Sequence, residues 1–526
     1  MGRVMPEAAA ATPAQHGQRL ITNVLWSWTG VAANLFQGIV ITRLLIKTLD
    51  PGHYGIWGLV FTILDYFWLF DMGLNSAVTN FCARFLAMQQ PEKINEVIST
   101  SLFSFSIIGL CVWIASPVLA WKAHDFFKIL PEDQPEFARL ILIVGISWGL
   151  CIMVHLFLSA LDGFQRFDLT SRVMVIQVAL RCVGYFVVLK TTKSLVMMAE
   201  VFVATQIFGY VLNFLNFRRL FPALRISTGL IRWGMFREIV RYGLKSFFAN
   251  AATLGLNGGG PIVIAHYLSQ HAVGFYMLPS RLLQQAADAV SRIGMVTRSN
   301  AAALSASEQR EATVLLGIYS NRYSLTLFMP LACFLLVYGR AVILRWVGPE
   351  MADHSAPLLP VFLLSYSLVM AAQFNSSSLL FGVGRHGGYA RALAVEAVAY
   401  VSGLVWVVPR YGIWGAAWVS VILMIASRGI YTPWLVSRAL DYSFWSYMSG
   451  IYARPLLSAA PTLAIAFALK STVLPGRTWP ELIAAGCLTA AVYMTIAAFV
   501  CIAPHHRALF VGRIPVLGSR FVPDRA

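Results

Sequence analysis

Two stretches of the chain match each other at a constant offset of 219 residues, the separation of Gly55 and Gly274. The matched positions are Leu49 and Leu268, Gly55 and Gly274, Leu161 and Leu380, Gly163 and Gly382, Arg166 and Arg385, Arg172 and Arg391, and Gly184 and Gly403. A repeat of this length constrains the architecture more than any other feature, because two copies of one unit must fold in the same way.

The repeat lies in a chain that is almost wholly apolar. Of its 526 residues, 58% are hydrophobic and 12% are charged, and the mean hydropathy is +0.68. A soluble globular protein carries about 25% charged residues, so this chain cannot cover a water-facing surface. Because one span needs about 20 apolar residues, the sequence predicts an all-α membrane protein with about 14 transmembrane helices.

The offset assigns about six spans to each copy. Because six is an even number, both copies enter the membrane from the same side and have the same orientation. We therefore predict two parallel six-helix repeats around a central cavity, followed by two additional C-terminal helices. The predicted domains are a disordered cytoplasmic N-terminus (1–20), an N-terminal six-helix bundle (21–217), a basic cytoplasmic linker (218–238), a C-terminal six-helix bundle (239–440), two additional transmembrane helices (441–503) and a basic cytoplasmic tail (504–526).

The basic residues indicate the topology. The formal net charge is +17, and the lysines and arginines gather in short loops between apolar runs. With both termini inside, they favour the inner side by roughly two to one, as the positive-inside rule expects. The bias therefore predicts cytoplasmic termini. The sequence argues against nucleic-acid binding, because no soluble basic domain exists to carry it.

Motifs for chemistry are missing from the sequence. It contains no Walker-type phosphate loop, no HExxH and no GxSxG in a strand–helix context. The seven cysteines have no metal-site or disulfide spacing. We therefore predict that the protein is not an enzyme and has no cofactor and no metal site.

Polar residues inside the spans are the candidates for a transport path, because such residues are costly in lipid and usually face the bundle interior. Arg281, Gln284, Asp288 and Arg292 lie on one face of the eighth span. They predict a hydrophilic cavity wall with cations for an anionic ligand, or a structural Asp288–Arg292 ion pair. Amides that could line the same cavity are Asn34 and Gln37 in the first span and Asn250 and Asn257 in the seventh.

Two more arginines, Arg181 and Arg428, lie at membrane depth. The guanidinium of Arg181 could contact a phosphate, since it presents a planar donor fork, or it could pair with Glu200 or Asp65. The acids that could couple transport to protons are Asp65, Asp71, Asp288, Glu200 and Glu396. Neutralisation in ion pairs explains these acids equally well. In the seventh span, residues 258–261 read Gly-Gly-Gly-Pro, which predicts a broken or bent helix.

Four segments carry a family resemblance: RLLIKTLDPGHYGIW (43–57), FDMGLNSA (70–77), ALDGFQRFD (160–168) and VGFYMLPSR (273–281). They resemble the Wzx-type polysaccharide flippases, which export O-antigen and exopolysaccharide and form the polysaccharide-transporter branch of the MATE-like (MOP) superfamily. The resemblance covers roughly residues 20–440, and the two extra spans fit the fourteen-span members. It makes Arg43 a further candidate for the cavity wall.

The resemblance implies a flippase of the bacterial inner membrane that moves oligosaccharide units on undecaprenyl pyrophosphate from the cytoplasmic to the periplasmic leaflet by alternating access. The implied partners are this lipid-linked oligosaccharide, membrane lipids, a polysaccharide polymerase and a chain-length regulator. A cation-coupled multidrug antiporter or a lipid II flippase of the same superfamily is an alternative. A membrane polysaccharide polymerase or ligase is a third, although such enzymes usually carry a large periplasmic loop.

Overall fold

The computed structural model describes residues 13–71, 73–291, 293–504 and 506–507. Across these ranges nearly every residue is helical and no strand occurs, which confirms the all-α prediction. The helices α1 to α9 are Pro13–Thr48, Pro51–Phe67, Leu74–Ala87, Pro91–Phe126, Gln134–Gly163, Phe167–Thr191, Leu195–Leu220, Trp233–Tyr267 and Gln270–Ser291. The helices α10 to α18 are Ile293–Ala306, Arg310–Val347, Pro349–Ser355, Leu359–Ser365, Ala372–Gly382, Gly387–Met424, Thr432–Ala439, Phe444–Thr472 and Trp479–Val500.

The described helices account for the predicted spans. Nine helical segments of the described chain are long and apolar enough to cross a membrane. One of them, Gly387–Ala439, has 53 residues, more than twice the roughly 20 that one crossing needs. It divides at Gly412, where φ is +60° and helical geometry is lost. When α1, α2 with α3, α8, and α9 with α10 are added, the arrangement confirms about fourteen membrane segments.

The chain divides into two compact units. The first comprises Met1–Met277 and Tyr400–Ile413, and the second comprises Leu278–Ala399 and Trp414–Ala526. This division differs from the repeat boundary, because α8 belongs to the first unit, and α17 and α18 belong to the second. The domains predicted from the repeat therefore remain a prediction.

The internal repeat is visible in the packing of matched glycines. A Cβ on Gly163 would lie 2.6 Å from the carbonyl oxygen of Thr79. On the matched residue Gly382, a Cβ would lie 2.7 Å from the carbonyl oxygen of Arg298. Thr79 and Arg298 are themselves separated by the repeat offset. The two copies thus bring the same pair of helices into backbone contact, α5 with α3 in one and α14 with α10 in the other.

The second span is broken, which the sequence analysis did not predict. Helix α2 ends in a 3₁₀ turn, Trp68–Asp71, and α3 begins after Gly73, whose φ is +73°. Glycine tolerates this left-handed conformation because it has no Cβ. The break turns the backbone of the span next to a buried acid, Asp71.

The seventh span, in contrast, continues through its glycines as one helix, Trp233–Tyr267. Of the predicted break or bend at residues 258–261, the break does not occur, whereas the bend remains a prediction. These glycines allow close packing instead. A Cβ on Gly258 would lie 2.6 Å from the ring of Tyr66, and a Cβ on Gly260 would lie 2.9 Å from the hydroxyl of Tyr400.

Side chains at the helix starts explain several boundaries. Asp50 accepts a hydrogen bond from the backbone N–H of His53 at 3.0 Å and so caps α2, with Pro51 as its first residue. Thr478 caps α18, where the N–H of Glu481 donates to the Thr478 hydroxyl at 3.4 Å, and the Glu481 carboxylate accepts from the N–H of Arg477 at 2.9 Å. Such caps satisfy backbone donors that have no partner within the helix.

Helices α17 and α18 lie beyond the repeat and pack on α11 in the second unit. Buried Tyr338 of α11 lies in an apolar cluster with Ala466 of α17 and with Leu482 and Ala485 of α18. A buried polar network adds to this contact: the amide of Asn321 donates to the hydroxyls of Ser376 and Tyr447 at 2.8 and 3.1 Å. Because these groups satisfy one another, their burial is tolerated.

Candidate functional site

Arg181 lies in the middle of α6 and has neutral partners. Its guanidinium donates to the hydroxyl of Thr205 at 3.2 Å and to the side-chain oxygen of Gln206 at 2.8 Å. The ring of Phe202 lies under it, 4.6 Å from Cζ to the centroid. The side chain of Arg181 is therefore not held by the alternative ion pair with Glu200 or Asp65. Its hydrogen-bond acceptors within the described chain carry no charge, so its positive charge is retained in the span.

Arg428 differs, because its charge is compensated. Its Nε donates to Glu396 at 3.1 Å, and the Glu396 side chain is only 1% exposed against 19% for Arg428. Met370 of the same unit lies 3.5 Å from the guanidinium. The structure brings a predicted ligand-binding cation and a predicted coupling acid together as one ion pair. This arrangement favours the structural explanation for both residues.

The polar face of the eighth span is formed in α9. Gln284 donates to Asp288 at 2.9 Å and accepts a hydrogen bond from the hydroxyl of Tyr366 at 3.0 Å. Arg281 lies one turn before Gln284 and two turns before Asp288, and it is exposed. Arg292 lies outside the described residues, so the predicted Asp288–Arg292 pair stays a prediction. The face therefore presents a hydrogen-bonded amide and carboxylate with an arginine beside them.

Asp71 belongs to a buried network in the first unit. Its carboxylate accepts hydrogen bonds from the backbone and side-chain amides of Asn75 at 3.2 and 2.8 Å. The Asn75 oxygen accepts from the hydroxyl of Ser159 at 2.8 Å. The hydroxyl of Thr79 donates to the backbone carbonyl of Ser159 at 2.9 Å. The carboxylate thus lies at the N-terminus of α3, where the helix dipole favours negative charge, and is linked to α5.

This acid has no equivalent in the second copy of the repeat. The offset aligns Asp71 with Val290 and Asn75 with Gly294, whereas Ser159 aligns with Ser378. Arg181 likewise aligns with Tyr400. The scaffold is therefore repeated, while the charged groups at membrane depth are not.

The amides predicted for the cavity wall use only some of their hydrogen-bonding groups within the protein. The side chain of Asn34 donates to the carbonyl of Gly30 at 3.0 Å. The side-chain oxygen of Gln37 is buried with no hydrogen-bond partner in the described part of the chain. Asn250 and Asn257 of α8 are exposed. Four of the other polar candidates are also exposed, namely Arg43, Asp65, Glu200 and Asp288.

The sequence analysis missed several partners of these residues. Gln206 and Tyr366 were not singled out, because a partner on another helix has no fixed spacing in the sequence. Asn75 could have been found, since it follows Asp71 by one helical turn. A group of His53, Asp133 and Glu136 was also missed, because its residues come from two separate helix starts.

Comparison with known proteins agrees with this architecture. A candidate O-antigen transporter of Shigella flexneri is 20% identical over 426 residues, which are 80% of this chain and 98% of the relative. Among solved structures, the lipid II flippase MurJ in an inward closed conformation superposes with a TM-score of 0.69 at 13% identity, covering 90% of this chain and 98% of MurJ. An inward-facing multidrug resistance MATE transporter of the MOP superfamily gives 0.67 at 14% identity, covering 80% and 98%.

The two structural similarities establish the fold and do not choose between the functions of those proteins. The sequence comparison is more specific. Residues 20–297, more than half of the chain, match the family described as polysaccharide biosynthesis protein. These residues include all four segments on which the resemblance rests, and that resemblance is confirmed. The chain is a multi-pass membrane protein with the fold of MOP-superfamily transporters, and it belongs to the polysaccharide biosynthesis protein family.

Proposed function

We propose that the protein is a flippase that moves undecaprenyl-pyrophosphate-linked oligosaccharide units from the cytoplasmic to the periplasmic leaflet by alternating access. The observation that carries this proposal is the family match over residues 20–297. The relative in Shigella flexneri, named as a candidate O-antigen transporter, supports a role in making a surface polysaccharide. In this proposal the protein is a transporter rather than an enzyme.

Arg181 supplies the chemistry for a pyrophosphate. An arginine within a span is costly, and such residues usually serve a function. Here the guanidinium is held by the neutral acceptors Thr205 and Gln206, which orient it without cancelling its charge. A diphosphate would provide the missing negative charge, and guanidinium donors match its oxygens in pairs. We therefore assign Arg181 to the headgroup.

Arg281 is a second candidate for the same role. It is exposed on α9, next to the polar group formed by Gln284, Asp288 and Tyr366. Arg43 and Arg292 remain candidates on the sequence alone. Arg428 is a weaker one, because Glu396 already neutralises it.

The oligosaccharide requires hydrogen-bonding groups that the protein leaves available. Gln37 has an unsatisfied side-chain oxygen, and Asn250 and Asn257 present exposed amides. Amides donate and accept hydrogen bonds, as sugar hydroxyls do. We assign these side chains, with Asn34 and Gln284, to the sugar.

Asp71 is the acid that we favour for coupling to a cation gradient. It is buried, it lies at a break in a membrane helix, and its described hydrogen-bond donors are uncharged. The acids Asp65, Asp288 and Glu200 are exposed candidates. Glu396 is less suited to this role, since it forms an ion pair with Arg428.

Two alternatives share the fold. The multidrug resistance MATE transporter and the lipid II flippase MurJ have this fold, so a multidrug antiporter and a lipid II flippase are the alternatives. Uptake of organic cations would be opposed by the charge of Arg181, whereas a diphosphate is common to lipid II and to lipid-linked oligosaccharides. The lipid II flippase therefore differs from our proposal in the sugar of its substrate. The antiporter differs in the sign of the charge on its substrate, which is positive.

We place the protein in the bacterial inner membrane, as the family resemblance implies, with cytoplasmic termini, as the charge bias predicts. A polysaccharide polymerase and a chain-length regulator would act on the delivered units. Deleting the gene in its host should abolish the surface polysaccharide and leave lipid-linked oligosaccharide on the cytoplasmic leaflet. Normal polysaccharide and no accumulated intermediate would contradict the proposal.

A further inference from the structure

A histidine and two carboxylates meet at one end of the first unit. His53 lies in the first turn of α2, and Asp133 and Glu136 lie at the start of α5. The Nε2 atom of His53 is 3.7 Å from an oxygen of Asp133 and 3.8 Å from an oxygen of Glu136. One ligand atom from each of the three residues lies within 4.8 Å of the other two.

These separations are too long for direct hydrogen bonds, which end near 3.2 Å between heavy atoms. They are close to the separation of two ligand atoms that share one ion. Zinc binds imidazole nitrogen and carboxylate oxygen at about 2.0–2.2 Å, which puts two tetrahedral ligand atoms about 3.4 Å apart. Each carboxylate therefore needs to approach Nε2 by only a few tenths of an ångström. If no metal were bound and His53 were protonated, its Nε2–H would instead donate a direct hydrogen bond to one of the two carboxylates.

Neighbouring residues orient two of the three side chains as they would be oriented to bind a metal. Asp50 contacts Nδ1 of His53, which places the proton on Nδ1 and leaves the lone pair of Nε2 facing the two acids. Gln270 of α9 donates to the second oxygen of Asp133. Partners of this kind, which orient the ligands from behind, are typical of metal sites.

Helix capping does not explain the position of the Asp133 side chain. Asp133 occupies the N-cap position of α5, yet its side chain accepts no capping hydrogen bond. Its two oxygens face His53 and Gln270 instead. Asp50, in contrast, does cap its helix, and burial works against its ionisation. The hydrogen bonds from His53 outweigh that effect and hold the pKa of Asp50 below its usual value of 3.8.

We propose that His53, Asp133 and Glu136 bind a divalent transition-metal ion of the zinc class, with Asp50 and Gln270 as its supporting partners. One nitrogen with carboxylate oxygens suits zinc better than calcium or magnesium, which prefer oxygen alone. The ion would fasten the start of α2 to the start of α5 and, through Gln270, to the start of α9. Under the predicted topology this end of the unit faces the periplasm.

The test uses the purified full-length protein in detergent, without a polyhistidine tag, after treatment with EDTA and removal of the chelator. Zinc is titrated in competition with a chromogenic chelator, and thermal unfolding is followed with and without zinc. We expect one tight equivalent per chain and a higher unfolding temperature with zinc. Cobalt at the same site should give visible absorption of a low-coordinate complex.

Three variants test the assignment. His53→Ala and the isosteric Glu136→Gln should each lose the tight equivalent and the thermal shift. Asp50→Asn should weaken zinc binding by about 10- to 100-fold, as loss of a supporting partner does. His354→Ala, which removes an exposed histidine of the other unit, is the control and should bind like the wild type. Absence of a tight equivalent, or equal binding by wild type and Glu136→Gln, would overturn the proposal.

Discussion

Gly55 and Gly274, which are matched by the repeat, pack against each other at the starts of α2 and α9. A Cβ on Gly55 would lie 1.9 Å from the carbonyl oxygen of Gln270, and a Cβ on Gly274 would lie 2.6 Å from that of Pro51. Pro51 and Gln270 are also matched by the repeat. The contact is therefore reciprocal, with each glycine lying against the equivalent carbonyl of the other copy.

This contact predicts that alanine is not tolerated at either glycine. Gly55→Ala and Gly274→Ala should each destabilise the protein by at least the roughly 1–3 kcal/mol typical of overpacking, because the clash is with backbone that cannot move aside. The measurement is the unfolding temperature in detergent. Gly387→Ala is the control, since no atom lies within 4 Å of its Cβ position. Wild-type stability of Gly55→Ala would contradict the packing.

The Glu396–Arg428 pair predicts a rescue by double substitution. Either Glu396→Gln or Arg428→Met should destabilise the second unit by about 3–5 kcal/mol, because one charge remains without its partner. The double variant should recover most of that stability, as measured by thermal unfolding. Transport should recover with it if the pair is structural. A stable double variant without transport would instead show that Arg428 or Glu396 acts on the substrate or the coupling ion.

Arg181 should determine transport more than stability. Arg181→Ala should reduce flipping by about 10- to 100-fold, because a hydrogen bond to a charged group is worth about 1.5–3 kcal/mol. Arg181→Lys keeps the charge but loses the donor fork, so we expect an intermediate rate. Gln206 stays hydrogen-bonded to Gln177 at 3.1 Å, and the fold should persist. Unchanged flipping by a folded Arg181→Ala variant would exclude the headgroup contact.

Asp50 predicts a pH dependence of stability in metal-free protein. Its pKa is lower in the folded protein than the usual 3.8, so its ionised form stabilises the fold above that pH. The contribution is lost as the pH falls through the folded pKa. Asp50→Asn keeps an N-cap without titrating. The difference in unfolding temperature between wild type and Asp50→Asn should therefore change as the pH falls below about 4. A difference that does not vary with pH would contradict this role.

Much of the fold follows from the sequence. Apolar runs predict the spans, because a segment in lipid must form the hydrogen bonds of its backbone internally, as an α-helix does. The matched glycines predict the repeat, because close backbone contact excludes a Cβ. The break at Gly73 and the unbroken helix through Gly258 could not be predicted. Whether a glycine bends a helix or admits a neighbouring ring depends on the packing around it, which is absent from the local sequence.

The candidate site was predicted only in part. Polar residues within spans are visible as isolated exceptions to apolar runs, which is how Arg181, Asp71 and Glu396 were found. Their partners are set by the packing of distant helices, as the Glu396–Arg428 pair shows. The cluster around His53 combines two helix starts far apart in the chain, so only the folded structure reveals it.

Leaflet transfer in vesicles tests the proposed function most directly. The purified protein is reconstituted with a polyprenyl-pyrophosphate oligosaccharide carrying a fluorophore that dithionite reduces only on the outer leaflet. Protein-free vesicles and vesicles with Arg181→Ala serve as controls. We predict that dithionite removes nearly all fluorescence from vesicles with the wild-type protein, and about half from protein-free vesicles. Protection of half the fluorescence with wild-type protein, together with gradient-driven uptake of a cationic dye, would contradict the flippase and support an antiporter.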